Sequence, residues 1–359
     1  MPISRRLFVA ALPAFLAGCA SARRDAAPQA SAAAPAPSVG DYAAPSSATP
    51  SLVIDADTLQ VLHAENPGRA WYPASTTKLV TAFVAFEQLR AGRLTLQTDV
   101  VFSRNALGQE SVESGLKPGS VMTMEDALYA MLGASANDAA VAIAETIGGD
   151  EATFVGMMND AARGLGMTGS HFANPNGLFD ASQKTTARDL AVLAAAIDRT
   201  YPNYLGFFDV GEVLIDGRKL TSQNLLLTRF SGALGLKTGF LCASGRNIVG
   251  LAARGGRRLV VVVLGASTER ERAERAAALL RAGFDRPRTT GGPTVLDLRN
   301  EPSAAEDMRA RLCSPRATAY ELEQDQRYPM GLAGHPSNLG PPINPKVRVI
   351  RTRGASPST

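Results

Sequence analysis

Cysteine, histidine and long apolar runs are all scarce in this chain of 359 residues. Three cysteines, Cys19, Cys242 and Cys313, are too few for a disulfide framework and have no metal-ligand spacing. Spacing alone leaves open whether Cys242 pairs with Cys313. Three histidines, His63, His171 and His335, stand far apart without clustered carboxylates. That argues against a zinc enzyme and leaves no evident Ser-His-Asp triad, so neither a metal nor a cofactor is expected. No apolar stretch reaches the roughly 18 residues needed to span a bilayer. No Lys/Arg run is interleaved with aromatics and the formal charge of +4 is only mildly basic, so nucleic acid is not an expected partner. With 45% hydrophobic residues, the chain can bury one large core or two smaller ones.

The first 18 residues read as an export signal: a basic start at Arg5 and Arg6, a short apolar run, then small residues before Cys19. "SRRLFV" resembles a twin-arginine signal, although ordinary signals also begin with arginines, so the export route stays open. "LAGC", ending at Cys19, resembles a lipobox, in which that cysteine is lipidated after cleavage. Residues 19–50 are almost wholly Ala, Pro, Ser and Gly, the composition of a flexible tether. An exported, periplasmic, lipid-anchored protein is therefore expected, with the membrane reached through Cys19.

Ordered structure is expected over residues 51–285. Leu52–Asp55 and Gln60–Ala64 alternate around a polar turn and predict a hairpin. Helical periodicity follows from Ser75 to about Leu89, and a mostly helical stretch runs to about Tyr201. Thr123 with Asp126, and Thr186 with Asp189, are helix-start pairs. Strands return around Asp216-Gly217 and around Gly255-Gly256, both hairpin signals. The run Val260–Val263 is apolar throughout, as suits a strand covered on both faces. A last helix runs from Glu269 to about Arg281. The order strands, helices, strands, helix predicts an α/β (α+β) fold: an antiparallel sheet built from both ends of the domain, with a helical region inserted. Residues 286–359 contain ten prolines and are expected to be a loosely ordered tail, with a short strand at "TVLDL" and a short helix at "SAAEDMRARL".

Three short motifs carry the chemistry: Ser75-x-x-Lys78, Ser135-Ala136-Asn137 and Lys237-Thr238-Gly239. Serine is a weak nucleophile and needs an adjacent base. Lysine serves as that base only when neutral, which burial and a neighbouring cation both favour. The Ser75–Lys78 spacing puts both on one helical face. Any one triplet is commonplace, and Ser75 alone reads equally well as a helix cap. Their order and spacing together match the signature of penicillin-binding proteins and class A β-lactamases, with Ser-Ala-Asn for Ser-Asp-Asn.

With these motifs, and with "SGLKPGSVMTMEDALYAMLGASANDAAVAIAE", "LGMTGSHFANPNGL" and "GLKTGF" in the same order, residues 51–284 resemble the D-alanyl-D-alanine carboxypeptidases, the low-molecular-mass penicillin-binding proteins. The resemblance implies a β-lactamase/transpeptidase-like fold. It implies acylation of Ser75 by peptidoglycan stem peptides ending in D-Ala-D-Ala, with β-lactams as acylating inhibitors. Lys78 is then the base and Ser135 the proton relay. Asn137 holds the substrate amide, and Lys237, Thr238 and Gly239 flank the substrate. The backbone amides of Ser75 and Phe240 form the oxyanion hole, and Arg272 faces the terminal carboxylate. Arg270 and Arg275 compete with Arg272 for that role, and a solvated helix face is the plain reading of all three. His171 reads as part of a structural loop. Leu241 stands where a small polar residue is expected and predicts a more apolar floor. Three other readings remain: a D,D-endopeptidase with the same residues, a β-lactamase, although no Glu-x-x-Leu-Asn lies between Asn137 and Lys237, and a non-catalytic wall-binding lipoprotein.

Overall fold

The computed structural model describes residues 48–110, 114–288 and 291–354. Cys19, the export signal and most of the Ala/Pro-rich tether lie outside these residues.

In chain order the elements begin with a hairpin, β1 (Ser51–Asp55) and β2 (Val61–Glu65). Its turn has no glycine. Leu59 takes the left-handed conformation instead, at φ 63°, while the Asp55 carboxylate accepts the amides of Asp57 and Thr58 at 3.1 Å each. A 3₁₀ turn, Ala74–Thr77, leads into α1 (Lys78–Arg90). The helical region follows with β3 (Asp99–Val101), α2 (Arg104–Leu107), β4 (Val121–Thr123), α3 (Met124–Gly133), α4 (Asn137–Gly148), α5 (Glu151–Gly164) and α6 (Ala187–Thr200). The Thr123 and Thr186 side chains accept the Asp126 and Asp189 amides at 3.1 and 3.0 Å, caps worth about 1 kcal/mol each. The chain returns through β5 (Glu212–Ile215), β6 (Arg218–Thr221), α7 (Leu225–Arg229), β7 (Ala233–Leu241), β8 (Gly245–Arg254), β9 (Arg257–Ala266) and α8 (Glu269–Asp285).

Five strands form one antiparallel sheet in the order β2-β1-β9-β8-β7. Both ends of the domain thus meet in the sheet, as the element order predicts. Residues Val260 to Val263 are fully buried, and the pleat deals them alternately to two cores. Val260 and Val262 face the helical region with Leu52, Ile54 and Phe86. Val261 and Val263 face α8 through Ala273, Ala276 and Leu280. Burying each valine contributes about 1.5–3 kcal/mol relative to exposure. Among the described residues, no helix is long and apolar enough to cross a membrane.

The C-terminal segment departs from expectation. Residues 291–354 carry α9 (Arg309–Leu312), α10 (Ala317–Arg327) and β10 (Val347–Ile350). Val295, Leu298, Met308 and Ile350 are buried against the domain, and β10 pairs in parallel with β5, giving a sheet of order β10-β5-β6. "TVLDL" contributes only a bridge from Thr294 to Gln60, and helix appears only at the end of "SAAEDMRARL". The reason is physical. Polar, proline-rich composition shows that a segment cannot bury a core of its own, but does not stop it docking on one already formed.

Candidate active site

Ser75 lies within the 3₁₀ turn and Lys78 opens α1, so the two side chains project from successive turns of one helical path. Ser75 performs no capping: no side chain caps either element. Its hydroxyl instead lies within hydrogen-bond distance of Lys78 Nζ, at 3.0 Å. Lys78 is fully buried, and Nζ also lies 2.6 Å from Asn137 Oδ1 and 2.6 Å from the Asn176 carbonyl. Burial first, and then the positive charge of Lys237, hold the Lys78 amine well below the usual lysine range, against the opposing pull of Asp138.

This arrangement suits a neutral amine. Two of its three partners, Asn137 Oδ1 and the Asn176 carbonyl, can only accept, so they take both N–H bonds of an uncharged NH₂. The lone pair is then left facing the Ser75 hydroxyl. Asn137 is fixed for this by donating from Nδ2 to the Glu110 carbonyl at 2.7 Å.

Ser135 occupies the short link between α3 and α4, in the left-handed region at φ 62°. Such a conformation costs a non-glycine residue about 1–2 kcal/mol. Here it aims the hydroxyl at Lys237 Nζ, 2.9 Å away. Lys237, in β7, also donates to the Thr238 carbonyl at 2.9 Å. Burial, and then the Arg272 charge, bring its amine down to about 7.

Two glycines let these elements close on the nucleophile. A Cβ on Gly239 would come within 2.8 Å of the Ser75 amide nitrogen. A Cβ on Gly177, at φ +85°, would stand 2.0 Å from the Ala74 carbonyl. Strand β7 and the "NPNGL" loop therefore press directly on the turn that carries Ser75. The result is a cleft of about 240 Å³ that brings Ser75, Ser135, Lys237, Thr238, Gly239 and Phe240 together, with Thr221 and Gln223 completing a wall.

The three candidate arginines of α8, Arg270, Arg272 and Arg275, separate cleanly. Arg272 is 1% exposed and lies behind the cleft wall, donating Nη2 to the Gln223 carbonyl at 2.6 Å. Its Nε and Nη1 are buried without a hydrogen-bond partner. Arg270 donates to the Tyr328 and Met330 carbonyls, and Arg275 pairs with Glu271 at 3.0 Å and stacks on Tyr328. Those two hold the C-terminal segment rather than meet solvent. His171 is exposed and joins Lys184 through backbone bonds only. Apolar lining of the cleft comes from Phe240, stacked under Arg246 at 4.5 Å, and from Leu220 and Ala134, rather than from Leu241.

Sequence reasoning missed Asn176 and Gln223, because both act through backbone carbonyls that no side-chain pattern reports. It missed Asn247 as well. Asn247 Nδ2 donates to the Tyr72 and Pro73 carbonyls at 2.9 and 3.0 Å and so holds the lead-in to Ser75.

The sequence profile of the D-alanyl-D-alanine carboxypeptidase family matches residues 37–268. The D-alanyl-D-alanine carboxypeptidase DacF of Bacillus subtilis is 32% identical over 247 residues, covering 66% of this chain and 62% of that protein. DacD of Escherichia coli is 35% identical over 241 residues, covering 65% and 62%. The chain spans about three fifths of the length of these curated relatives. Among solved structures, penicillin binding protein 6B from Escherichia coli superposes with a TM-score of 0.63 at 33% identity, over 68% of this chain and 80% of that one. Penicillin-Binding Protein D2 from Listeria monocytogenes, in its cefotaxime-bound form, gives 0.61 at 32%, over 66% and 97%. The sheet with its inserted helical region is the β-lactamase/transpeptidase-like fold of these neighbours. Taken with the three motifs meeting at one cleft, the match over residues 37–268 establishes that this chain belongs to the D-alanyl-D-alanine carboxypeptidase family.

Proposed function

We propose that the protein is a serine-type D-Ala-D-Ala carboxypeptidase acting on peptidoglycan stem peptides through a Ser75 acyl-enzyme. One observation carries this reading: the buried Lys78 amine, with acceptors for both its N–H bonds and Ser75 Oγ at 3.0 Å. Lys78 takes the Ser75 hydroxyl proton as Oγ attacks the carbonyl carbon of the penultimate D-Ala. The developing oxyanion is received by the backbone amides of Ser75 and Phe240, and the close approach of Gly239 to the Ser75 amide supports pairing them. Collapse breaks the peptide bond, and Ser135, beside Lys237, relays the proton that Lys78 took up to the departing D-alanine amine, which leaves Lys78 neutral again. Water then hydrolyses the ester, with Lys78 again the base.

In this scheme Asn137 shares its amide between Lys78 and the substrate, while Thr238 and Gly239 present the strand edge. Arg272 supplies positive charge for the terminal carboxylate, with its buried, unpartnered Nε and Nη1 as support. β-Lactams acylate the same serine. Residues 51–285 form the peptidase domain, and residues 1–18 direct export to the periplasm. Cys19 is lipidated and anchors the enzyme through the 19–50 tether.

Labelling with a fluorescent penicillin is expected for the wild type and absent for Ser75→Ala. Equal labelling of both would remove the enzyme reading. Purified muropeptides then define the activity: release of free D-alanine marks a carboxypeptidase, and conversion of dimers to monomers an endopeptidase. Globomycin-sensitive processing, and release of Cys19→Ala from the membrane fraction, are expected of the anchor.

A further inference from the structure

We infer that the segment from Arg299 to Cys313 is a positioning element for the oxyanion hole, clamping together the two chain segments that carry its amides; the inference rests on the peptidase reading above. On one side the segment holds the lead-in to Ser75. The Glu301 amide donates to the Gly68 carbonyl at 2.8 Å, and Glu306 meets Ala70 through its amide at 3.4 Å. Arg69 pairs with Glu306 at 3.6 Å. On the other side it holds the exit of β7 just past Phe240. The Met308 amide donates to the Ala243 carbonyl at 3.0 Å, and Cys313 is disulfide-bonded to Cys242.

The domain is shaped to receive this segment. A Cβ on Gly68 would lie 2.0 Å from the Arg299 carbonyl, and Cβ atoms on Gly245 and Gly265 would meet Met308 Sδ at 3.0 and 3.2 Å. The fully buried Met308 side chain therefore fills a recess that only glycines leave open. Between the two clamped sides run direct ties: Trp71 Nε1 donates to the Ser244 carbonyl at 2.7 Å, and Asn247 holds Tyr72 and Pro73. Next to them Arg309 stacks on Phe179 at 4.5 Å, and Phe179 packs on Tyr72 at 5.3 Å. None of these side chains is assigned a part in bond making. Their effect is on the spacing of two amides, and a misplacement of about 1 Å at a reacting centre costs up to roughly 100-fold in rate.

The test compares oxidised wild type with the same protein reduced by dithiothreitol. The Cys242–Cys313 bond takes two electrons and two protons to become two thiols while dithiothreitol closes to its cyclic disulfide. Thiol titration reports completion. Acylation by a fluorescent penicillin is followed by stopped flow, resolving the binding constant from the acylation rate. Reduction is expected to slow the acylation step by roughly tenfold or more, with binding unchanged and circular dichroism retained. Cys242→Ser/Cys313→Ser should be equally slow and indifferent to dithiothreitol. Met308→Ala, with the disulfide intact, should shift the same step in the same direction. Equal acylation rates before and after reduction overturn the inference, as does a loss that tracks loss of the folded dichroism signal. Failure of the oxidised wild type to label at all instead removes the peptidase reading, and the inference with it.

Discussion

Two buried lysine–serine pairs face each other across the cleft, and their surroundings differ. Lys78 touches Ser75 Oγ, Asn137 Oδ1 and the Asn176 carbonyl, whereas Lys237 touches Ser135 Oγ and the Thr238 carbonyl. Both amines are pushed down by burial, Lys78 well below the usual lysine range and Lys237 to about 7. A neighbouring cation pushes each in the same direction: Lys237 acts on Lys78, and Arg272 acts on Lys237. The charges thus form a series running from Arg272 inward. Its innermost member, with acceptors for both N–H bonds, suits a base, while the next acts as the electrostatic partner.

The largest test of this contrast is Lys78→Ala, expected to slow acylation by up to roughly 10⁴-fold in stopped-flow labelling, the top of the range for a general base. Lys237→Met should cost less, roughly 10²–10³-fold, the scale of one electrostatic stabiliser. Stability should move oppositely. A lysine whose folded pKa lies near 7 binds fewer protons than the unfolded chain between there and its ordinary 10.5. Stability therefore rises with pH across that window and carries the full burden of the buried charge below it. At pH 6 Lys237→Met is expected to melt above the wild type by calorimetry. Equal losses of activity from the two variants would erase the proposed division of labour.

Next in size is Gly239→Ala, where the new Cβ meets the Ser75 amide at 2.8 Å. Overpacking of about 1–3 kcal/mol is expected in chemical denaturation, with acylation slowed by roughly tenfold or more. The smallest effects lie in pH profiles. The acylation rate constant should fall in acid as Lys78 gains its proton, and fall again as pH rises through about 7, where free Lys237 loses its charge. Arg272→Gln should move the alkaline limb upward, because a cation that depresses Lys237 is gone, and leave the acid limb in place. An acid limb that shifted as much would mean that the two lysines titrate as one unit.

Much of this was legible in the residues. Ser75, Lys78, Ser135, Asn137 and Lys237 stand out because polar side chains recur in three motifs of fixed spacing, and the all-apolar Val260–Val263 run announces a central strand. Asn176 was hidden because the carbonyl that cages Lys78 belongs to the backbone. Arg270 and Arg275 read as solvated because the segment that covers them, around Tyr328, is polar and proline-rich and gives no sign of docking. Leu59 shows the same limit on a small scale. A leucine in the left-handed region is legible only once the Asp55 carboxylate is seen holding the turn.

The close seat of the C-terminal segment on Gly68 has a consequence for how this sequence can change over time. Gly68 owes its bareness to the C-terminal segment, because a Cβ there would strike the Arg299 carbonyl at 2.0 Å, whereas Gly245 and Gly265 are also held bare by left-handed backbone and, at Gly265, by Trp71 at 2.5 Å. Domain and segment are therefore coupled in inheritance. A lineage that lost the segment would release Gly68 to drift, and one that drifted there first could not take the segment back.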